Sequence, residues 1–176
     1  MSELEVEIRS FLTQEKFDYL IELFKKIAVF VNKDYQETYY LNSETDLRIQ
    51  KNNLCSKIIL KKGELHDEIR EELEIEVNRD DFGKLENLFA NLGFKVKLKF
   101  LRTRYQFNWE NIFVFLDNTK GFGYVIELEK KSTEEHKEKD LEMLKHKLKL
   151  LNIDLTPKEE FTKKFKEYEK NWKNLI

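Results

Sequence analysis

At 176 residues, 40% hydrophobic and 13% aromatic, the chain is long enough to bury a core and too apolar to stay disordered. Its 32 basic and 34 acidic residues leave a net charge of −2, without the basic excess of a general nucleic-acid binder. Cys55 is the single cysteine, which excludes an internal disulfide and a thiolate metal site. No apolar run is long enough to span a membrane as a helix, and the acidic N-terminus is unlike a signal peptide, so the expected location is the cytoplasm.

The first predicted element is a strand near residues 3–9. In "SELEVEIRS", Glu3, Glu5, Glu7 and Arg9 alternate with Leu4, Val6 and Ile8. A helix is predicted from about Thr13 to Val31, with Phe17, Leu20, Ile21, Phe24, Ile27, Ala28 and Val31 on one stripe. Strands near 34–41, 46–51, 54–61 and 69–77 follow. The spacers "NSET", "KNN" and "KGELHDE" have hairpin length, so these neighbours should be antiparallel. A second helix starts near Asp80 or Asp81 and should bury Phe82, Leu85, Phe89 and Leu92, with Gly93 at its C-terminal cap. Strands near 95–107, 111–117 and 122–130 come next.

After Ser132, a third helix carries Leu141, Leu144, Leu148 and Leu151. A fourth is marked by Thr156 as N-cap, Pro157 at the first helical position and Glu159 completing a capping box. Its apolar positions are Phe161, Phe165, Tyr168, Trp172 and Leu175. The fold class is α+β with a large antiparallel sheet. It is read as one domain over 1–176, with strands and two helices to residue 130 and a helical segment over 131–176.

The charged face of the first strand recurs. Arg70, Glu72, Glu74 and Glu76 lie opposite Leu73, Ile75 and Val77; Glu127 and Glu129 lie opposite Ile126 and Leu128. Arg48 and Gln50 oppose Leu47 and Ile49, Lys57 and Lys61 oppose Ile58 and Leu60, and Arg102 and Arg104 oppose Thr103 and Tyr105. Any one such strand is explained by a wetted face. About eight strands can instead close into a barrel, which removes the sheet edges and turns the charges into a lumen. Buried charges need a charged guest. Carboxylates suit hard cations, and guanidinium forks suit phosphate oxygens, so the pair describes a metal-bound polyphosphate. Val96, Leu98 and Phe100 share parity with Arg102 and Arg104, which requires a bulge or a change from plugged to open lumen.

Other constellations carry less. His136 and His146 fall on or beside a charged helix, and His66 in a strand connection is read as a surface residue near the tunnel entrance. No Gly-rich phosphate loop and no Ser-His-Asp arrangement is found.

"EVEIR" resembles the Glu-x-Glu-x-Lys signature of the CYTH superfamily, the triphosphate tunnel metalloenzymes. The likeness continues in order through "LRIQ", "ILKKG", "REELE", "RTRY", "FLD" and "VIELE", covering about residues 3–130. The resemblance implies an eight-stranded antiparallel β-barrel, the triphosphate tunnel, with helices packed outside. It also implies Mg²⁺ or Mn²⁺ as cofactor. The small-molecule substrate would be inorganic triphosphate, thiamine triphosphate or ATP, with RNA 5′-triphosphate ends and a homodimer left open.

By motif position, Glu5, Glu7, Glu127 and Glu129 match the metal carboxylates, supported by Glu72, Glu74 and Asp117. Arg9, Arg48, Lys61, Arg70, Arg102 and Arg104 match the phosphate-binding set. Lys61 is the expected positioner or activator of water, its pKa lowered by neighbouring cations. Three positions depart from the pattern: Arg9 replaces the signature lysine, Gln50 a second cation, and Leu41 an aspartate. The expected function is a metal-dependent triphosphate hydrolase. A class IV-type adenylate cyclase and a non-catalytic polyphosphate or nucleotide sensor are the alternatives.

Overall fold

The predicted strand stretches form eight strands in the structure, a computed structural model that describes residues 3–176. They are β1 (Glu3–Leu12), β2 (Val29–Leu41), β3 (Asp46–Lys51), β4 (Cys55–Lys61), β5 (Ile69–Asn78), β6 (Val96–Trp109), β7 (Ile112–Thr119) and β8 (Gly123–Ser132). All neighbours are antiparallel, and the sheet closes into a barrel in the order β1-β5-β4-β3-β2-β6-β7-β8. Closure leaves no free edge and points one face of each strand into the lumen. Of the charged face in β1, the Glu3 side chain lies outside the described part.

Four α-helices complete the described residues: α1 (Gln14–Ile27), α2 (Phe82–Asn91), α3 (Lys137–Leu150) and α4 (Lys158–Leu175). Phe17, Leu20 and Phe24 of α1 and Leu141, Leu144 and Leu148 of α3 meet Val6, Ile8, Phe107, Leu116, Ile126 and Leu128 on the barrel's outer face. Each such side chain gains roughly 1.5–3 kcal/mol from burial. That layer supplies the cohesion which a charged inner face cannot. Opposite it, Phe82 and Leu85 of α2 pack on Tyr39, Leu41 and Ile49. No helix among the described residues is long and apolar enough to cross a membrane.

α4 is placed differently. Its Phe161, Phe165 and Tyr168 pack on the inward-facing Leu98, Phe100, Phe122 and Val125 and so plug one end of the barrel. This explains the parity of β6, and a bulge contributes. Tyr40 pairs with Leu98 but Leu41 with Val96, so Lys97 is the extra residue. Val96 therefore turns outward to the α2 layer, while Leu98 and Phe100 face the plug ahead of Arg102 and Arg104.

Three local expectations change. α1 ends at Ile27 rather than Val31, and Ala28 is already extended (φ −136°, ψ 165°). The run Val29-Phe30-Val31 favours a pleated strand; Val29 and Phe30 pair with Asn108 and Phe107 of β6, and Val31 sits at a bulge before Asn32 resumes the ladder. Thr156 does not cap α4. Its hydroxyl instead accepts from the Phe11 amide and its own N–H donates to Ser10 Oγ, both at 3.0 Å, so the expected capping box is replaced by a clamp on β1. Leu92 is 64% exposed, because α2 stops at Asn91 and Gly93 turns the chain away at φ +91°.

Candidate active site

The inward faces of the strands enclose a cavity of about 830 Å³. Glu5, Glu7 and Arg9 of β1 line it with Arg48 of β3, Lys61 of β4, Glu72 and Glu74 of β5, Arg102 and Arg104 of β6, Asp117 of β7, and Glu127 and Glu129 of β8. Alternation brings these side chains inward, on the parity opposite the residues that pack on α1, α2 and α3. The end away from α4 is open, lined by Asn32, Asn52 and Leu54, the last 82% exposed.

Arg70 is the expected member that does not line the cavity. Its side chain is fully buried, donating to Asp46 Oδ2 at 2.8 Å and to the Lys62 carbonyl at 3.3 Å. Asp46 also takes both forks of Arg48, whose guanidinium lies 4.4 Å from the centre of the Tyr40 ring. Burial opposes charge on Asp46, but Arg48 and Arg70 outweigh it and hold its carboxyl well below the usual range. The pattern Asp46-x-Arg48 on one strand face was the available sequence signal for this pair.

A second cationic group forms where β6, β7 and β8 meet. Arg104 grips Asp117 through two bonds of 2.7 Å and reaches Glu127 at 3.2 Å; Arg102 contacts Asp117 at 3.1 Å and Gln36. Arg9 Nε donates to Glu127 at 2.7 Å, and its Nη2 donates to Glu7. Burial disfavours charge on Glu127, yet Arg104, Arg9 and Arg102 keep it well below the ordinary carboxylate range. Asp117 and Glu127 thus orient arginines. Charge-assisted forks of this kind fix donors that would otherwise swing.

The remaining carboxylates gather beside Arg9 and Glu127, where Glu7 faces Glu129 in register across β1 and β8. Glu5, Glu7 and Glu129 each offer an oxygen, and the three lie within 4.8 Å of one another. Burial, then Glu5, Glu127 and Glu7, push Glu129 well above the usual range. Burial lifts Glu5 to about 7 against the pull of Lys61. Glu7 is lowered because Arg9 and Lys61 outweigh its burial, and its Oε2 is buried without a hydrogen bond. A converging, oxygen-only donor set with an orphaned buried oxygen fits a hard divalent cation such as Mg²⁺ or Mn²⁺.

Lys61 differs from expectation. Its Nζ sits 2.6 Å from Glu72, 2.9 Å from Glu5 and 3.5 Å from Glu7, so carboxylates rather than cations crowd it. Burial is outweighed by Glu7, Glu5 and Glu72, and the ammonium is held well above its ordinary pKa. Glu74, farther along β5, pairs with Lys57 at 2.7 Å. Gln50 turns to Thr38, donating to its hydroxyl at 2.9 Å.

His66 is a second correction. It is not a surface residue but lies between the tunnel and α4, its ring centre 5.6 Å from those of Phe161 and Phe165. Its Nδ1 is 3.3 Å from Arg9 Nη1, which can act as donor only, so Nδ1 accepts and Nε2 carries the proton. Burial, then Arg9 and Arg48, lower its pKa to about 3.

A closed antiparallel barrel, covered by helices and lined with opposed carboxylates and guanidiniums, defines the class of charged tunnel proteins. The chain belongs to the CYTH family, whose domain profile matches residues 3–162. Members of that family are cyclases or triphosphatases that act on small triphosphates such as ATP and use divalent metals. The chain is 32% identical over 163 residues to a Methanocaldococcus jannaschii protein whose name proposes it as an adenylate cyclase, spanning 85% of this chain and 90% of that one. The structure of the PH1012 protein from Pyrococcus horikoshii is similar at TM-score 0.73 and 26% identity, over 85% of this chain and 91% of that one. A Hippeastrum protein named as a candidate adenylyl cyclase, and described as having a dominant triphosphatase activity, shares the fold at TM-score 0.61 and 19% identity, over 86% and 88%.

Proposed function

We propose that the protein binds a triphosphate inside the tunnel and hydrolyses it with the help of Mg²⁺ or Mn²⁺. The observation that carries this reading is the division of one cavity into a carboxylate trio, Glu5, Glu7 and Glu129, and a guanidinium set, Arg9, Arg48, Arg102 and Arg104. The arginines are the phosphate clamp, because their planar forks match pairs of phosphate oxygens. Asp117, Glu127 and Asp46 hold those forks in orientation before a ligand enters, which reduces the ordering needed on binding. Glu5, Glu7 and Glu129 would hold a divalent ion, which would supply charge neutralisation along the phosphate chain and help to orient water. Lys61, kept protonated by its neighbours, contributes charge and donors rather than acting as the base.

Adenylate cyclisation is the second reading. The name of the Methanocaldococcus jannaschii relative favours it, and so do Tyr40 and Phe115 on the lining of a cavity of nucleotide-sized volume. The test is to incubate the protein with inorganic triphosphate, thiamine triphosphate and ATP under Mg²⁺ or Mn²⁺ and to identify products by chromatography. Orthophosphate supports hydrolysis, cyclic AMP replaces it with cyclisation, and tight binding without turnover replaces both with a sensor.

A further inference from the structure

Lys61 Nζ bonds or pairs with two of the three carboxylates that converge as a cation site, Glu5 and Glu7, and with Glu72 beside them. Lys61 is the cation of Glu5 and Glu72, Glu7 shares it with Arg9, and Glu129 has no cation within ion-pair distance among the described residues. The Glu7 contact is long, at 3.5 Å, and leaves Glu7 Oε2 without a hydrogen bond. The same ammonium feels Arg48 of the phosphate clamp, so it stands at the border between the anionic and cationic halves of the lumen.

We propose that Lys61 is a resident counter-ion which holds Glu5 and, together with Arg9, Glu7 in the metal-free protein and is handed to the phosphate chain when a divalent cation takes its place. A dication interacts about twice as strongly with each carboxylate as an ammonium at the same distance. It therefore displaces Lys61 from Glu5 and Glu7 without leaving those anions uncompensated. A lysine suits this transfer, since its flexible stem carries a point charge with rotatable donors, where an arginine fork would be committed to one geometry. Released from them, Lys61 stays on the lumen face of β4 two residues beyond Ile59, the cross-strand partner of Arg48, where a bound phosphate competes with Glu72 for its Nζ. Cation entry and phosphate binding then reinforce each other through one side chain. The phosphate half of this inference rests on the triphosphate reading; the displacement half does not.

The test uses the whole chain with metal alone. In Lys61→Met, Mn²⁺ affinity measured by electron paramagnetic resonance should tighten by about tenfold or more. Lys57→Met removes the same charge four residues away, from the Glu74 and Glu76 pairs, and should change affinity by less than about threefold. In the wild type, the ¹⁵Nζ resonance of Lys61 should shift on Mg²⁺ addition without any triphosphate. This second readout holds even if Lys61→Met folds poorly. Equal effects of the two substitutions, or an unmoved Lys61 resonance at saturating Mg²⁺, overturn the displacement. Tripolyphosphate should tighten Mn²⁺ binding more in wild type than in Lys61→Met; equal tightening overturns the transfer. None of these readouts depends on turnover, so loss of the hydrolase reading and loss of this one are separable.

Discussion

Arg104 of β6 and Asp117 of β7 face each other in register and join through parallel hydrogen bonds, Nε to Oδ1 and Nη2 to Oδ2, each 2.7 Å long. That geometry commits Asp117 to the arginines. Asp117→Asn keeps the shape and removes the charge that compensates Arg104 and Arg102. Breaking a buried pair from one side costs about 3–5 kcal/mol, so the melting temperature should fall clearly. Tripolyphosphate should then raise it more than in the wild type, because the anion replaces the missing charge. Mn²⁺ affinity should stay within about twofold. A collapse of Mn²⁺ binding would move Asp117 into the metal set.

Glu129 sits in the opposite situation, buried beside Glu5, Glu127 and Glu7 with its pKa pushed well up. A carboxyl whose native pKa lies above its unfolded value destabilises the native state once pH exceeds the unfolded value. Glu129→Gln should therefore raise the melting temperature of the metal-free protein at neutral pH. It also removes one of three converging ligands, so the further stabilisation by Mn²⁺ should shrink and turnover should nearly vanish. Thermal melts with and without Mn²⁺ check both signs. A variant that loses stability without metal, or responds to Mn²⁺ as the wild type does, contradicts the assignment.

His66 provides a pH signature. Its native pKa is lowered to about 3 by burial and by Arg9 and Arg48, with Glu7 and Asp46 pulling weakly the other way. The unfolded chain protonates this imidazole near pH 6.5 while the native one stays neutral. Its contribution to stability is thus fully present above about pH 6.5 and is lost progressively as pH falls toward 3. Between pH 8 and pH 5 the loss amounts to about 2 kcal/mol. Denaturant unfolding across that range should show this slope in the wild type and a flatter profile in His66→Phe, which keeps the aromatic packing against Phe161 and Phe165. Identical slopes would mean that His66 titrates alike in the native and unfolded states.

Much of this was legible because parity is a local property. Glu5, Glu7, Arg48 and Glu127 reveal their common face within a few residues of chain, and closure of eight strands does the rest. What a charged side chain touches is not local. Lys61 meets Glu5 across 56 residues, and Arg9 meets Glu127 across 118, so the spacing along β4 could not tell a lysine among cations from one among carboxylates. The same holds for His66, whose burial depends on α4, a helix nearly a hundred residues later. At Thr156 a real capping signature yielded to tertiary demand, because Phe11 needed an acceptor for its N–H. The end of α1 differs for the reverse reason: the apolar stripe through Val31 reads as helix until β6 offers a ladder.

Arg48 and Arg70 share Asp46 but not the tunnel, and this separates two roles that resemblance had merged. Arg48 lines the cavity, while the Arg70 side chain is fully buried and spends its donors on Asp46 and on backbone carbonyls of the β4–β5 connection. Arg48→Ala should weaken tripolyphosphate binding by about 1.5–3 kcal/mol, tenfold or more in Kd, because a charge-assisted contact to the ligand disappears. Its stability should suffer less, since Asp46 keeps Arg70. Arg70→Met preserves volume but removes a fully buried guanidinium that serves Asp46 and two backbone carbonyls, so it should lower the melting temperature more. At a temperature where it is fully folded, its tripolyphosphate affinity should stay within about threefold of wild type. Calorimetric titration of both variants, at a temperature chosen from their melts, decides the matter. If folded Arg70→Met loses affinity as Arg48→Ala does, the guanidinium of Arg70 reaches the ligand and the phosphate clamp extends beneath Asp46.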